Sequence, residues 1–243
     1  MIAINSSKQR FLLLHLGPAL VIAALLLAME TTGIDTVVSN WFFDPVAGVF
    51  PLRYNNILEI VGHQWTKQLV IVLACSVIGA YLLSFLLQGL KPQRRLLLFL
   101  SLAMTLAPLA VVVLKAISFR HCPWSLQEYG GFAPHLSLFD AGPPGMLLGH
   151  CFPSGHASTG FCLLAFYFAG LTIGNRRLAL AGLWGGFAAG LLLGMARVVQ
   201  GAHFLSHNLW SGLVCWLVIL TLYLVIIGPP ASSQPAATTP STG

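Results

Sequence analysis

Six apolar segments, each long enough to cross a lipid bilayer, dominate this sequence. A membrane-spanning helix needs roughly 20 predominantly apolar residues, because no water is present in the bilayer core to satisfy exposed backbone groups. The 243-residue chain is 57% hydrophobic and only 7% charged, which excludes most soluble folds. We therefore predict an all-α, polytopic membrane protein with six transmembrane helices in a bundle. The predicted spans cover residues 11–29, 68–89, 97–118, 157–173, 178–196 and 209–227.

The domain organisation is simple. We expect residues 1–227 to form one six-helix domain, with its polar motifs confined to residues 115–208. The remaining tail, 228–243, consists mainly of Pro, Ala, Ser, Thr and Gly and carries no charge. Such a segment has too little apolar surface to offset the entropy lost on ordering, so we expect it to be disordered.

The distribution of basic residues predicts the orientation in the membrane. The net charge is +6, but the basic residues form short clusters beside the apolar segments and no continuous stripe, so nucleic acid is not an expected partner. Loops rich in Lys and Arg remain in the cytoplasm. We therefore expect a bacterial inner-membrane protein with a cytoplasmic N-terminus and with loops 30–67 and 119–156 facing the periplasm. The cytoplasmic clusters are Lys8, Arg10, Lys91, Arg94, Arg95, Arg176 and Arg177.

Three polar clusters fall on the outward side of this topology. Residues 115–124 follow the third predicted span, residues 153–156 precede the fourth, and residues 196–208 join the fifth to the sixth. Ionisable groups at membrane depth are costly and by default indicate function. The three clusters therefore predict a single site at the outer membrane face.

The residue types in these clusters suit a phosphate group. Lys115, Arg120 and Arg197 supply cationic donors, and the planar guanidinium of arginine matches pairs of phosphate oxygens. Ser154 and Gly155 precede a predicted helix, where backbone N–H groups and the helix dipole attract anions. Each residue alone has a simpler explanation: a lone Ser is more often an N-cap, and a lone Lys or Arg at a helix end extends toward the headgroups.

Hydrolysis of a phosphate requires a nucleophile and an acid in addition to binding groups. His203 and His156 come from different clusters, so they could flank a bound phosphoryl group. A neutral imidazole is a good nucleophile when a partner fixes its tautomer. For His15, His63 and His135 we expect only a packing role.

Two of the five cysteines lie in the outward loop beside the polar clusters. Cys122 and Cys151 could form a disulfide if that side of the membrane is oxidising. Two unpaired thiols are the alternative, because a disulfide requires the Cα atoms to lie within about 7 Å of each other. The sequence leaves both states open.

The motifs resemble a known family. P-S-G-H at residues 153–156 is followed by R-x5-H from Arg197 to His203. In this order and at one membrane face, they are similar to the type 2 phosphatidic acid phosphatase superfamily, which also includes vanadium haloperoxidases. The family pattern is K-x6-R-P, then P-S-G-H, then S-R-x5-H-x3-D. The resemblance runs from Lys115 through Asn208, and the membrane members share the six-helix layout.

The resemblance implies a reaction and a role for each matching residue. His203 would be the nucleophile that forms a phosphohistidine, His156 the general acid, and water would then release inorganic phosphate. The resemblance implies no metal and no other cofactor for the phosphatase members. The implied phosphate-binding set is Lys115, Ser154, Gly155 and Arg197.

The first departures from the family pattern affect phosphate binding. After Lys115 and six further residues, Cys122 stands where the family has arginine, and the available arginine, Arg120, comes two residues early. We therefore include Arg120 in the predicted phosphate-binding set. Ala196 replaces the serine before Arg197, which we expect to cost little.

The last departure affects the nucleophile. Four residues after His203 the family has an aspartate, whereas this chain has His207, followed by Asn208. Without a carboxylate partner, formation of an imidazolium is less favourable and attack is slower. If the segment is helical, His207 shares a face with His203 and orients it; the carbonyl of Asn208 is a second candidate. Asp140 and Glu128 from the outward loop are further candidates.

These observations predict an integral membrane phosphatase that hydrolyses a lipid-linked phosphomonoester or diphosphate. Candidate substrates are isoprenyl diphosphates, phosphatidylglycerol phosphate, phosphatidic acid and the phosphates of lipid A. One alternative is a phosphotransferase that moves the phosphoryl group between lipids. The other is a degenerate, non-catalytic lipid-binding or transport protein, which the missing carboxylate favours.

Overall fold

The computed structural model describes residues 6–229, apart from the side chains of residues 6–7 and 61–63. Within this range the protein is helical and contains no strand longer than an isolated bridge. Most of the tail predicted to be disordered, from residue 230 onward, lies outside the described residues. The α-helices are α1 (Ser6–Met29), α2 (Ile34–Asn40), α3 (Asn56–Glu59), α4 (Thr66–Leu83), α5 (Arg94–Ala116), α6 (Gly155–Phe161), α7 (Ala165–Thr172), α8 (Arg176–Val199) and α9 (Leu205–Ile226).

The all-helical membrane architecture is confirmed. Five helices in the described part of the chain are long and apolar enough to cross a membrane: α1, α4, α5, α8 and α9. The segment predicted as the fourth span, 157–173, is divided into α6, a 3-10 turn over Cys162–Leu164, and α7. A count of six spans therefore stays a prediction.

Two helix boundaries differ from the predicted ones by several residues. Helix α4 ends at Leu83 instead of residue 89, and the guanidinium of Arg94 donates to the backbone oxygen of the next residue, Ser84. Helix α9 begins at Leu205 instead of residue 209, with the consequence that His207 lies inside the helix and His203 outside it.

The core within the membrane lies between α5, the α6–α7 segment and α9. On α5, small and apolar residues at a spacing of four form one buried face, as expected for a helix packed along one side. Helix α4, in contrast, has one buried residue, Val77, and its other side chains are exposed or half-buried, so its outer side faces the lipid. The residues of the α5 face are Phe99, Ala103, Ala107 and Val111.

Glycines on α8 allow it to approach α6 and α7 closely. A Cβ atom on Gly190 would lie 2.4 Å from the ring of Phe161, and one on Gly160 would lie 2.3 Å from the backbone nitrogen of Gly190. Such small residues permit close helix contact in membranes. The packing brings the C-terminal end of α8 beside the start of α6. The buried glycines of α8 are Gly182, Gly186, Gly190 and Gly194.

The two long outward loops pack against each other and against the start of α9. We call this layer, formed by residues 30–59 and 119–152, the roof. Its interior is an aromatic cluster that includes Phe50, Tyr129 and Phe204. Burial of these rings ties the roof to the chain segment that leads into α9.

Candidate active site

The structure brings all three polar clusters together at one end of the bundle. Lys115 lies in the last turn of α5, His156 in the first turn of α6, and Arg197 in the last turn of α8. His203 lies in the loop between α8 and α9. The ring centroids of His156 and His203 are 6.2 Å apart, so both imidazoles are close enough to contact one bound phosphoryl group.

The loop that carries His203 is fixed by a tight turn at the end of α8. Gly201 has a φ of 70°, in the left-handed region that favours glycine. A Cβ there would also lie 2.4 Å from the ring of Phe50 in the roof. The backbone nitrogen of Ala202 donates to the carbonyl of Arg197 (2.8 Å). The turn therefore directs His203 back over the helix ends, where it is only 3% exposed.

The surroundings of His203 favour its neutral form. Burial, followed by the positive charges of Lys115, His156 and Arg197, holds the pKa of His203 well below 6.5. Both causes act in the same direction, since each penalises an additional positive charge. A neutral imidazole retains one nitrogen lone pair, which is what a nucleophile requires.

We expect His203 to remain unprotonated below pH 6.5. In the unfolded chain this imidazole takes up a proton near pH 6.5, whereas in the folded protein it does so only at lower pH. Between these values the unfolded state binds more protons, so stability falls as the pH decreases through that window. Spectra of protein labelled with ¹⁵N in the imidazole rings, assigned with His203→Ala, measure the titration. A His203 signal that titrates at or above pH 6.5 would contradict the expectation.

Arg197 is held by two residues that the sequence did not identify. Its Nη1 donates to Oε2 of Glu59 (2.9 Å) and to Oε1 of Gln200 (2.8 Å). Gln200 is fully buried and lies one turn further along the chain, and Glu59 approaches from the end of α3. Spacing along α8 could have indicated Gln200, but no sequence signal pointed to Glu59.

Arg120 is directed into the roof. Its Nη1 donates to Oε1 of Glu30 (3.1 Å), and both side chains are almost fully buried. Its guanidinium also lies 4.7 Å from the ring centroid of Phe152, and Glu30 accepts a second hydrogen bond from the backbone of Leu138. These contacts give Arg120 a role in holding the roof, and its contact with phosphate stays a prediction.

Ser154 and Gly155 start α6 as the motif predicts. The side chain of Ser154 accepts from the backbone nitrogen of Ala157 (3.5 Å) and therefore acts as the N-cap. Its own backbone nitrogen donates to the carbonyl of His207 (3.1 Å), which joins α6 to α9. No atom lies within 4 Å of a Cβ built on Gly155, so open space adjoins the backbone there. Their contact with phosphate stays a prediction.

Neither His207 nor Asn208 forms a hydrogen bond to His203. The rings of His203 and His207 meet edge to face with centroids 5.7 Å apart, and both nitrogens of His207 are buried without a hydrogen-bond partner. The amide of Asn208 packs against Gly194, where a Cβ would lie 2.5 Å from its Cγ. The helical i, i+4 relation does not apply, because His203 precedes the first residue of α9.

The two acidic candidates from the outward loop also have other partners. Oδ2 of Asp140 accepts from the backbone of Ser137 (2.7 Å). Oε1 of Glu128 lies 3.1 Å from Nδ1 of His135, whose ring stacks on Phe204. Both pairs belong to the exposed side of the roof.

A disulfide sulfur lies within hydrogen-bonding distance of Nδ1 of His203. Cys122 and Cys151 form a disulfide with a Cα–Cα distance of 5.2 Å. Sγ of Cys151 lies 3.5 Å from Nδ1 of His203 and 3.1 Å from the backbone oxygen of Ala202. Sequence reasoning identified this cysteine pair but not its contact with the histidine.

Asp35 is a further residue that the sequence did not identify. Its Oδ1 accepts from the backbone nitrogen of Ser206 (2.9 Å), and its Oδ2 accepts from the Ser206 hydroxyl. Phe204, the N-cap of α9, offers no side-chain acceptor, so Asp35 caps this helix from a distant part of the chain. Burial raises the pKa of Asp35, and the bonds from Ser206 oppose the shift.

A metal is not favoured by the donor groups. In the part of the chain that the structure describes, one His/Cys/Asp/Glu group has ligand spacing: Cys122, Cys151 and His203, with ligand atoms within 4.8 Å of one another. Its two sulfurs are bonded to each other, and a thiolate is the form that binds metal.

His15, for which a packing role was expected, lies on α1 away from the site. Its Nε2 lies 2.9 Å from the Tyr167 hydroxyl, consistent with a packing role.

Cationic groups and two neighbouring histidines lie together at one end of an apolar helical bundle, an arrangement typical of a membrane protein with a site for an anionic group. A family model of the PAP2 superfamily matches residues 96–228, more than half of the chain. The protein therefore belongs to the PAP2 superfamily, and the predicted resemblance is confirmed. This membership indicates a phosphatase-type activity. No significant match to a curated protein or to a solved structure was found.

Proposed function

We infer that this protein is an integral membrane phosphatase that hydrolyses a lipid-linked phosphomonoester or diphosphate. The observation that supports a lipid substrate is a cavity of about 480 Å³ that runs from His156 and Lys115 down between the helices. Its volume lies within the roughly 300–1,000 Å³ that is typical of small-molecule sites.

The cavity, which we call the lateral groove, changes in character along its length. Its upper end is polar and contains Lys67, Lys115, Gly155 and His156. Below it lie the hydroxyl groups of Ser158 and Thr159 on α6, and the lower end lies among apolar residues of α4, α5, α8 and the 3-10 turn after α6. A lipid phosphate matches this division, because its headgroup is anionic and its chains are apolar. The apolar lining includes Val70, Ile71, Ala74, Met104, Pro108, Val112, Cys162 and Leu193.

The proposed reaction begins with binding of the phosphate oxygens. Lys115 and Arg197 supply positive charge, and the backbone at Gly155 approaches the oxygens without steric hindrance from a side chain. For Arg197, the phosphate competes with the carboxylate of Glu59. Charge-assisted hydrogen bonds of this kind stabilise the charge that spreads over the oxygens in the transition state.

The two histidines then carry out the chemistry. Neutral His203 attacks phosphorus and forms a phosphohistidine, while His156 protonates the oxygen of the departing lipid. In the second step His156 takes a proton from water, which attacks the phosphohistidine and releases inorganic phosphate. The ring centroids lie 6.2 Å apart, which supports contact of both histidines with the same phosphoryl group.

Two features support a site that faces the periplasm. The Cys122–Cys151 disulfide lies at the same end as the histidines, and disulfides persist in oxidising compartments. The opposite end carries the α4–α5 and α7–α8 connections with their arginines, where Arg95 donates to the backbone of Ile226. Positively charged connections favour the cytoplasm.

Release of inorganic phosphate from a panel of lipids tests the proposal. We expect the purified protein in vesicles to hydrolyse at least one of the four candidate lipid classes at least about tenfold faster than soluble glycerol phosphate. A lipid held in the bilayer presents its headgroup at the depth of the site, which raises its effective concentration. A loss of lipid phosphate that reappears on another lipid would identify a phosphotransferase instead. Binding without turnover would identify a lipid-binding protein.

A pair of variants on α4 provides the matched control. Ala74 lines the lateral groove, whereas the adjacent Cys75 is exposed to the bilayer. Ala74→Phe narrows the groove and is expected to slow lipid hydrolysis, with little effect on a soluble phosphate. Cys75→Phe adds the same ring outside the groove and is expected to leave both rates unchanged. Equal effects of the two variants would contradict entry of the lipid through the groove.

A further inference from the structure

A nucleophilic histidine needs a partner that fixes the position of its single proton. A neutral imidazole attacks through the nitrogen without the proton, and an acceptor near one nitrogen keeps the proton there. In the described part of the chain no carboxylate bonds to His203, and the side chains of His207 and Asn208 do not bond to it either. Sγ of Cys151, at 3.5 Å from Nδ1, occupies the position of that partner.

A disulfide sulfur can act only as an acceptor in this contact. It carries no hydrogen, so a hydrogen on Nδ1 points at the sulfur, and the lone pair remains on Nε2. The backbone carbonyl of Cys151 also favours the protonated form of His203. The sulfur of Cys151 thus places the reactive lone pair on Nε2, the nitrogen that does not face the disulfide.

The disulfide holds Cys151 at this position. The segment before Cys151 runs beside the segment before Cys122, with backbone bonds from Gly149 and His150 to Ser118 and from Cys151 to Arg120 (3.0 to 3.1 Å). A Cβ on Gly149 would lie 2.3 Å from the backbone oxygen of Arg120, which shows how closely the two segments approach. The S–S bond then links Cys151 to the neighbouring roof segment that contains Cys122.

We propose that the Cys122–Cys151 disulfide is a positioning element for the nucleophile, with Cys151 orienting His203 through Nδ1 so that Nε2 faces the phosphate. The inference rests on the proposed phosphatase function. It assigns to a disulfide the task that a carboxylate performs elsewhere, and it makes the turnover of this enzyme dependent on the oxidised state of that cysteine pair.

The first test compares the kinetics of cysteine variants. For the double variant Cys122→Ala/Cys151→Ala we expect a kcat about 10- to 100-fold lower, since small errors in the alignment of reacting groups are costly. KM should change less than about threefold, because Lys115 and Arg197 are held by α5 and α8. Cys75→Ala, which alters an exposed cysteine of α4, is the matched control and should behave like the wild type.

The kinetic outcome separates positioning from stabilisation. If the disulfide only stabilises the fold, the double variant unfolds at a lower temperature, but the molecules that remain folded have the wild-type kcat. That result overturns the proposal. If the double variant does not fold, wild-type protein is treated with a water-soluble phosphine, which converts the disulfide to two thiols and is itself oxidised to the phosphine oxide. Loss of kcat that is regained on reoxidation supports the proposal, and an unchanged kcat overturns it.

A chelator is present during reduction, because the freed sulfurs and His203 have the spacing of a metal site.

The second test does not depend on activity. The ¹⁵N spectrum of the His203 imidazole reports which nitrogen carries the proton, in the absence of any substrate. We expect the proton on Nδ1 in the oxidised protein and a mixture of tautomers after reduction. A proton on Nε2 before reduction, or no change after it, overturns the inference even if phosphate is released. Conversely, the protein could give the expected spectra but release no phosphate from any lipid. In that case the disulfide does orient His203, but the proposed phosphatase function is wrong.

Discussion

Replacement of His203 with alanine is expected to lower the rate of lipid phosphate hydrolysis by at least about 10⁴-fold. Removal of an activated nucleophile has effects of this size in other hydrolases, equivalent to about 5.4 kcal/mol of transition-state stabilisation. His203 is 3% exposed, and its ring lies beside that of His156, with the centroids 6.2 Å apart. Phosphate release from lipid vesicles, measured on equal amounts of folded protein, gives the rate.

The nucleophile can also be identified by trapping the intermediate. Wild-type protein mixed with ³²P-labelled lipid and quenched in alkali is expected to retain a small but detectable fraction of the label, since a phosphohistidine survives alkali but not acid. His203→Ala should retain none. His135→Ala is the matched control, because His135 lies nearby in the roof, stacked on Phe204 and paired with Glu128, but not between the phosphate-binding groups. A His203→Ala protein that keeps more than about 1% of the wild-type rate would disprove the assignment of the nucleophile.

The arrangement of the site could be predicted from the sequence because it depends on membrane topology. Apolar segments of the right length determine where each polar cluster meets the membrane surface. Lys115, His156 and Arg197 lie at helix ends on one side of the bundle, so their convergence follows once the spans are counted. The helical spacing of glycines on α8 is also visible in the sequence. The close contact with Phe161 that this spacing permits required the structure.

The partners of these residues could not be predicted, since each comes from a distant and irregular part of the chain. Glu59 reaches Arg197 across 138 positions, and Asp35 reaches Ser206 across 171. No periodicity relates such positions. The sequence suggested His207 as the partner of His203 on the assumption of a continuous helix, but α9 begins at Leu205. The start of the helix is fixed by Asp35, which the sequence placed in an unrelated loop.

The surroundings of His203, which favour its neutral form, have a consequence for the balance of the two chemical steps. A carboxylate partner stabilises an imidazolium, whereas a disulfide sulfur and a carbonyl oxygen do so less strongly. His203 is therefore a weaker base than a carboxylate-bound histidine, and its pKa is held lower still by the nearby cations. A less basic nitrogen attacks phosphorus more slowly, but it also departs more readily from the phosphohistidine. We infer that formation of the phosphohistidine limits turnover in this protein.

Replacement of His156 with alanine is expected to lower kcat for a lipid phosphate by about 10²- to 10⁴-fold, the usual contribution of a general acid. The size of the loss should depend on the leaving group. An alkoxide leaving group needs a proton as the P–O bond breaks, whereas a nitrophenolate does not. With nitrophenyl phosphate we therefore expect a much smaller loss in the first step, visible as a rapid initial release of nitrophenol.

The same variant should then accumulate the phosphohistidine, because His156 also takes the proton from the attacking water. Rapid-quench measurements with nitrophenyl phosphate are expected to show a burst of nitrophenol followed by slow turnover, with the label retained on His203. His121→Ala, in the roof and bonded to the backbone of Leu147, is the control for loss of a histidine at the same membrane face. An equal loss for lipid and nitrophenyl substrates, without a burst, would show that His156 acts by binding phosphate and not by transferring a proton. Because its ring lines the lateral groove where the headgroup oxygen must lie, we expect the leaving-group dependence to be observed.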